Sequence, residues 1–239
     1  MTPQQNPMTA PMAEQLPATL LVVAKAPIAG FAKTRLTPPL TPHEGARLAA
    51  AALLDTLDAM RAAAVRHRVV AWTGDLAAAE AADDIGRALA DFTVVPQRGH
   101  GFAERLAHAH ADAARFGLPI VQIGMDTPQV TPELLTGAAA RLTGPADAVF
   151  GPAADGGWWA LGWTDPWAAP ALAEVPMSTA RTGALTRDLL HRSHYRVHDL
   201  PVLNDVDTYA DALQVAADAH GRFGTAMRRH RTAHPELVP

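Results

Sequence analysis

Cysteine is missing from all 239 residues. That excludes disulfides, thiolate-held metals and a thiol nucleophile. Serine is scarce and no G-x-S-x-G stretch occurs, which argues against a serine hydrolase. The 11 histidines contain no H-E-x-x-H or comparable zinc spacing, and His43, His67 and the tail histidines read as solvated. Neither a G-x-x-x-x-G-K-[ST] phosphate loop nor a G-x-G-x-x-G dinucleotide fingerprint is present. No apolar run approaches the ~20 residues that span a bilayer. The first 16 residues carry neither the basic nor the apolar region of a secretory signal. The expectation is a cytoplasmic protein without a membrane span. Positive charge is not in excess: the net charge is −4, which gives no general pull toward nucleic acid or anionic lipid.

What is present is a rhythm of short apolar runs alternating with longer periodic segments. Residues 19–24, 69–72, 93–95, 120–123 and 147–150 read as buried strands. Helices are expected at 41–64, 76–90, 102–116 and 131–143, between and after them. Such alternation predicts right-handed βαβ units and an α/β fold with a mostly parallel central sheet. Two helix starts carry their own punctuation. Thr41-Pro42-His43-Glu44 is a capping box with proline at the first helical position, and Thr208 with Asp211 caps a later helix. After residue 150 the rhythm changes. Trp158–Trp163 reads as a strand of antiparallel character, giving a small antiparallel addition, followed by a helix at 182–193 and an extended stretch at 195–203. Residues 1–17 read as a disordered tail, 18–220 as a single domain, and 221–239 as a helix end and tail.

The chain is organised around Ile120-Val121-Gln122-Ile123-Gly124-Met125-Asp126-Thr127-Pro128. A doubly buried strand stops at Gly124, and Asp126 follows just past its carboxyl end, where open α/β sheets place ligands. Taken alone, Asp126 is equally readable as a turn cap. Gly30, Lys33 and Arg35 follow the first strand; a glycine that lets the backbone approach a ligand and two cations suit phosphates, and a solvated surface loop accounts for Lys33 and Arg35 equally well. Asp205 and Asp207, spaced D-x-D on an extended segment, can share a face and hold a hard cation such as Mg²⁺ or Mn²⁺, although helix capping accounts for them equally well. Asp155-Gly156-Gly157 is either a hairpin turn or a loop with backbone N–H groups free for a ligand.

As an ordered set, A-K-A-P-x-x-G-x-x-K-T-R-L (24–36), Q-x-G-x-G-F-x-E-R (97–105), I-G-M-D-T-P (123–128), G-P-A-x-D-G-G-W-W (151–159), S-T (178–179) and D-V-D-T (205–208) resemble a bacterial family of uncharacterised glycosyltransferases. That family is associated with radical-SAM and selenium-domain proteins, or labelled arsenosugar-biosynthesis type. It belongs to the nucleotide-diphospho-sugar transferase superfamily. The resemblance implies a GT-A-type, Rossmann-like fold and a relationship to the guanylyltransferases acting on 2-phospholactate or phosphoenolpyruvate, which share the K-T-R-L loop. Carried over by position, it implies that Ala24, Lys25, Gly30, Lys33, Arg35 and Gly124 bind the nucleotide donor. Lys33, Arg35 and Asp126 would be catalytic. Asp126, Asp205 and Asp207 would hold Mg²⁺ or Mn²⁺. Asp155, Gly156, Gly157, Trp158, Ser178 and Thr179 would meet a small-molecule acceptor. Met125, Thr127, Trp158 and Met177 depart from the family pattern. The implied activity is glycosyl transfer from an NDP-sugar. The alternatives are nucleotidylyl transfer from an NTP to a small phosphorylated acid, and a nucleotide-binding regulator without turnover.

Overall fold

The computed structural model describes residues 15–237; of the tail expected at residues 1–17, residues 1–14 lie outside the described residues, whereas Leu16 and Pro17 belong to the first strand. Seven strands form one sheet: β1 (Leu16–Lys25), β2 (Val65–Thr73), β3 (Thr93–Pro96), β4 (Ile120–Gly124), β5 (Asp147–Pro152), β6 (Trp158–Trp163) and β7 (Arg196–Asp199). Their order is β3-β2-β1-β4-β6-β5-β7. Among these strands only β6 runs antiparallel, pairing β4 on one side and β5 on the other. The helices are α1 (Pro42–Ala62), α2 (Ala82–Leu89), α3 (Phe102–Ala113), α4 (Pro132–Ala140), α5 (Thr182–Arg192), α6 (Tyr209–Asp218) and α7 (Arg222–Ala233).

The expected α/β architecture is present, and burial on both faces explains the uninterrupted apolar runs. From β1, Leu20, Val22 and Ala24 pack with Leu53, Leu57 and Met60 of α1 and Leu135 of α4. Leu21 points the other way, toward Ala109 and Ala113 of α3. Each fully buried Leu or Met contributes about 1.5–3 kcal/mol relative to exposure. Both capping boxes form as their sequences direct: Thr41 accepts from Glu44 N and Thr208 from Asp211 N.

Three details differ from the sequence reading. β1 begins at Leu16, which pairs with Val65 across a register shift. The alanine-rich stretch 76–90 is not one helix. A 3-10 turn at Leu76–Ala78 ends it early, and Ala81 takes a left-handed φ of 57° before α2. Asp75 caps that first turn by accepting from Ala77 N at 2.9 Å, and Glu80 N donates to Pro27 O at 2.9 Å. These local and tertiary bonds outweigh alanine's helix preference. Finally, His230 on α7 is not solvated; its side chain is only 10% exposed. Phe223 and Met227 of α7 are fully buried against Leu36, Leu40, Val206 and Val215.

Candidate active site

The chain leaves β1 for β2 and β3 on one side, then returns to place β4 on the other. The connections after β1 and β4 therefore diverge and open a crevice between the carboxyl ends of these two strands, where parallel sheets bind ligands. Val23 is level with Gly124 there. Because β6 runs antiparallel to β4, its start at Trp158 lies at this same end, which brings the 153–157 loop to the crevice. The result is a cleft of about 700 Å³. Lys25, Lys33, Arg35, Asp126, Asp205 and Asp207 all line it.

The loop after β1 turns on Gly30. Phe31 N donates to Ile28 O at 3.0 Å, and Gly30, with φ 73°, occupies the position of a type II turn that requires positive φ. Gly30 itself does not line the cleft; its place is to aim the residues that follow. Lys33, also left-handed at φ 52°, then projects its ammonium between two carboxylates. It is hydrogen-bonded to Asp126 Oδ2 and, at 2.9 Å, to Asp207 Oδ1. Arg35 approaches Asp207 from solvent at 3.7 Å. Burial disfavours the Lys33 charge, but Asp126 and Asp207 outweigh it and hold the ammonium above its ordinary pKa. Burial likewise opposes ionisation of Asp207, yet Lys33 and Arg35 hold its carboxyl below the usual range.

Asp205 is different. Thr127 Oγ1 donates to its Oδ1. Burial, and then the charge of Asp126, push its pKa up to about 7. The segment is stitched to Asp126 through the main chain, Val206 N donating to Asp126 O at 2.9 Å. Among the described residues, Asp126, Asp205 and Asp207 do not present three oxygens within 4.8 Å of one another. Lys33 takes up the space between two of them, and Thr127 holds the third. Gly124 leaves room for the acid: a Cβ there would meet Asp126 Oδ1 at 2.7 Å, so the carboxylate would have to turn aside.

The opposite wall holds the expected acceptor residues Asp155, Gly157, Trp158, Ser178 and Thr179. Asp155 Oδ1 accepts from Gly157 N at 2.8 Å, so this carboxylate braces its own turn. Gly156 does not line the cleft. Its φ is 88° and its carbonyl accepts from Gly183 N at 2.8 Å, which seats the start of α5 against the loop. Trp158 Nε1 donates to Thr186 Oγ1 at 3.2 Å.

Four further residues of the cleft were not singled out individually from sequence. Gln97 Nε2 donates to Ala24 O at 2.8 Å and Ala71 O at 2.9 Å, bridging the ends of β1 and β2. Phe31 lies under the Lys25 ammonium, 3.6 Å from ring centroid to Nζ. Phe102 and Arg105 complete this side. Burial and the neighbouring Arg105 lower the Lys25 pKa. Gln97, Phe102 and Arg105 fall inside the 97–105 motif, so the motif was the available signal.

The sequence from 56 to 179, more than half of the chain, matches the family described as an uncharacterized protein conserved in bacteria, DUF2064. The chain belongs to this DUF2064 family. No curated protein matches it in sequence. Among solved structures, it is similar to a protein of Desulfovibrio desulfuricans G20 described as a candidate nucleotide-diphospho-sugar transferase. The TM-score is 0.78 at 24% identity, covering 91% of this chain and 96% of that one. A nucleotidyl transferase from Methanothermobacter superposes with a TM-score of 0.51 at 17% identity, over 89% of this chain and 98% of that one. Rv0371C of Mycobacterium tuberculosis H37Rv, in a complex with manganese, gives 0.51 at 21% identity, over 83% and 97%. These likenesses show the fold: this member of the DUF2064 family has the GT-A-like, nucleotidyltransferase-like α/β architecture.

Proposed function

We propose that the protein is a cytoplasmic, divalent-cation-dependent transferase that takes a nucleotide-activated donor, with glycosyl transfer from an NDP-sugar to a small-molecule acceptor as its reaction. One observation carries this reading. Lys33 and Arg35 pair with Asp126 and Asp207 at the switch point of the sheet, with Asp205 lining the same cleft, and this meeting of carboxylates with a cationic loop supports a site for a cation and for phosphates.

The donor set suits a hard ion. All three groups offer carboxylate oxygen, as Mg²⁺ and Mn²⁺ prefer. The raised pKa of Asp205 reflects a surplus of negative charge in a buried place. Asp126, Asp205 and Asp207 would hold the cation, which when bound stabilises charge developing on the leaving phosphate. Lys33 and Arg35 would bind the donor's phosphates and orient them. Lys25, with Phe31 beneath it and Arg105 beside it, would extend this cationic wall. Trp158, Ser178 and Thr179 would position the acceptor across the cleft and exclude water from the reacting centre. The manganese complex of Rv0371C supports a divalent ion on this fold. The narrower kinship with glycosyltransferases of arsenosugar type rests on the motif set alone.

Nucleotidylyl transfer from an NTP is the second reading. It is favoured by the K-T-R-L loop, here residues 33–36, and by the likeness to a nucleotidyl transferase. Thermal-shift screening against NTPs and NDP-sugars, each with and without Mn²⁺, separates them. A ligand at 100 times its dissociation constant adds ~2.7 kcal/mol. Stabilisation by one NDP-sugar and not its parent NTP, with NDP released on turnover, supports glycosyl transfer. Preference for an NTP with pyrophosphate release supports the second reading. No shift with any nucleotide would sink both. A regulator without turnover would keep its cellular effect in Asp126→Asn.

A further inference from the structure

Away from the cleft, α1 and α7 bring together three residues that sequence spacing keeps far apart. Glu44 lies in the first turn of α1. His230 and His234, one helical turn apart, lie at the carboxyl end of α7. Glu44 Oε1 is 3.7 Å from His230 Nδ1 and 3.9 Å from His234 Nε2. All three ligand atoms lie within 4.8 Å of one another. None of these residues lines the cleft. We propose that Glu44, His230 and His234 form a second metal site, for a zinc-class divalent cation, that fastens the end of α7 to the start of α1.

Each group is prepared for this by its surroundings. The other Glu44 oxygen, Oε2, is committed to the capping box, accepting from Thr41 N at 2.8 Å and Thr41 Oγ1 at 2.7 Å. Oε1 is left facing the two imidazoles. Those separations are too long for hydrogen bonds. They are a few tenths of an ångström wider than the about 3.4 Å between ligands of a tetrahedral ion bound at about 2.0–2.1 Å. His234 Nδ1 lies 3.2 Å from Glu236 Oε1. Donation of its N–H there leaves Nε2 bare toward Glu44, the carboxylate–histidine arrangement that orients metal-ligating imidazoles. The His230 side chain is nine-tenths buried, and its Nε2 has no partner. With Nε2 carrying the proton, the Nδ1 lone pair faces Glu44 and is available to a cation. Two histidines and one glutamate leave a fourth position open to water, a recognised zinc set.

The probe is zinc alone, offered to the full chain in excess Mg²⁺ so that the cleft carboxylates are occupied by the competing ion, and read by equilibrium dialysis and calorimetry. The expected result is one zinc per chain. His234 is 42% exposed, so His234→Ala keeps the fold, and zinc affinity should fall by more than 100-fold. Glu236→Gln, which only weakens the hold on His234, should lower it by about 10–100-fold. Asp126→Asn should leave it unchanged. Absence of bound zinc overturns the proposal. So does wild-type affinity in His234→Ala, or loss of zinc in Asp126→Asn with retention in the histidine variant.

Discussion

Replacing Lys33 with methionine should tighten binding of Mn²⁺ in the absence of nucleotide. The ammonium now sits between Asp126 and Asp207, its Nζ 2.9 Å from the latter. It neutralises the charges that would attract a divalent ion, and repels that ion. Unit charges 4 Å apart interact by about 4 kcal/mol at an effective dielectric of 20. Here the carboxylates are 26% and 39% exposed, so solvent screening reduces the effect to about 1.5–3 kcal/mol. That corresponds to roughly 10- to 100-fold in affinity. Electron paramagnetic resonance titration of free Mn²⁺ measures it directly. Lys33→Met should also melt lower than wild type without metal, because three carboxylates lose their buried counter-charge, and Mn²⁺ should restore the difference. Turnover with a nucleotide donor should fall in the same variant, since the phosphates lose their cation. If Mn²⁺ binds Lys33→Met no better, or less well, than wild type, the carboxylates are not competing for lysine and metal, and the charge argument fails.

In the metal-free protein, Asp205→Asn should stabilise the fold at pH 8 and do little at pH 4. The folded pKa of Asp205 is raised by burial and by Asp126 to about 7. Its favourable contribution is therefore complete below the unfolded value and is lost as pH rises toward 7. The variant's gain should reach at least about 1.4 kcal/mol, the equivalent of one pKa unit; denaturant melts at both pH values measure it, and an equal gain at both is the contrary result. Gly124→Ala should displace the Asp126 carboxylate, because the new Cβ would lie 2.7 Å from Oδ1. Mn²⁺ affinity should drop about 10-fold or more while stability changes by only about 1–2 kcal/mol, and a variant with unaltered metal binding would show that the acid does not need the room Gly124 leaves.

Much of this architecture was legible because burial on both faces leaves continuous apolar runs and because caps are local. Thr41 with Glu44, and Thr208 with Asp211, announce their helices in four residues each. The convergence of Lys33, Asp126 and Asp207 was expected from the ends of predicted strands and from the resemblance, and the cleft brings these residues together. Strand order was less accessible. Nothing in Trp158–Trp163 says that it slots between β4 and β5, because neighbours are chosen by tertiary packing. Gln97 carries no chemistry that marks it; only the two carbonyls it bridges give it a role. The α7 stripe is narrow, resting on Phe223, Gly224 and Met227 amid arginines and histidines. A charge-rich composition therefore hid a docked helix, and with it the partners of Glu44.

The placement of β6 has a kinetic consequence. β5 and β6 are joined by the five residues 153–157 and can zip as a hairpin on the microsecond scale expected of such elements. The strands before them, β1 to β4, assemble by parallel crossovers of much longer reach. The two halves of the sheet meet along one ladder, Ile120 to Ile123 against Ala160 to Trp163. Lys33 and Asp126 belong to one half, and Trp158 and Thr179 to the other. The cleft thus exists only where this seam joins the two halves, and binding of a nucleotide with its acceptor would report that joining, whereas helix content alone would not.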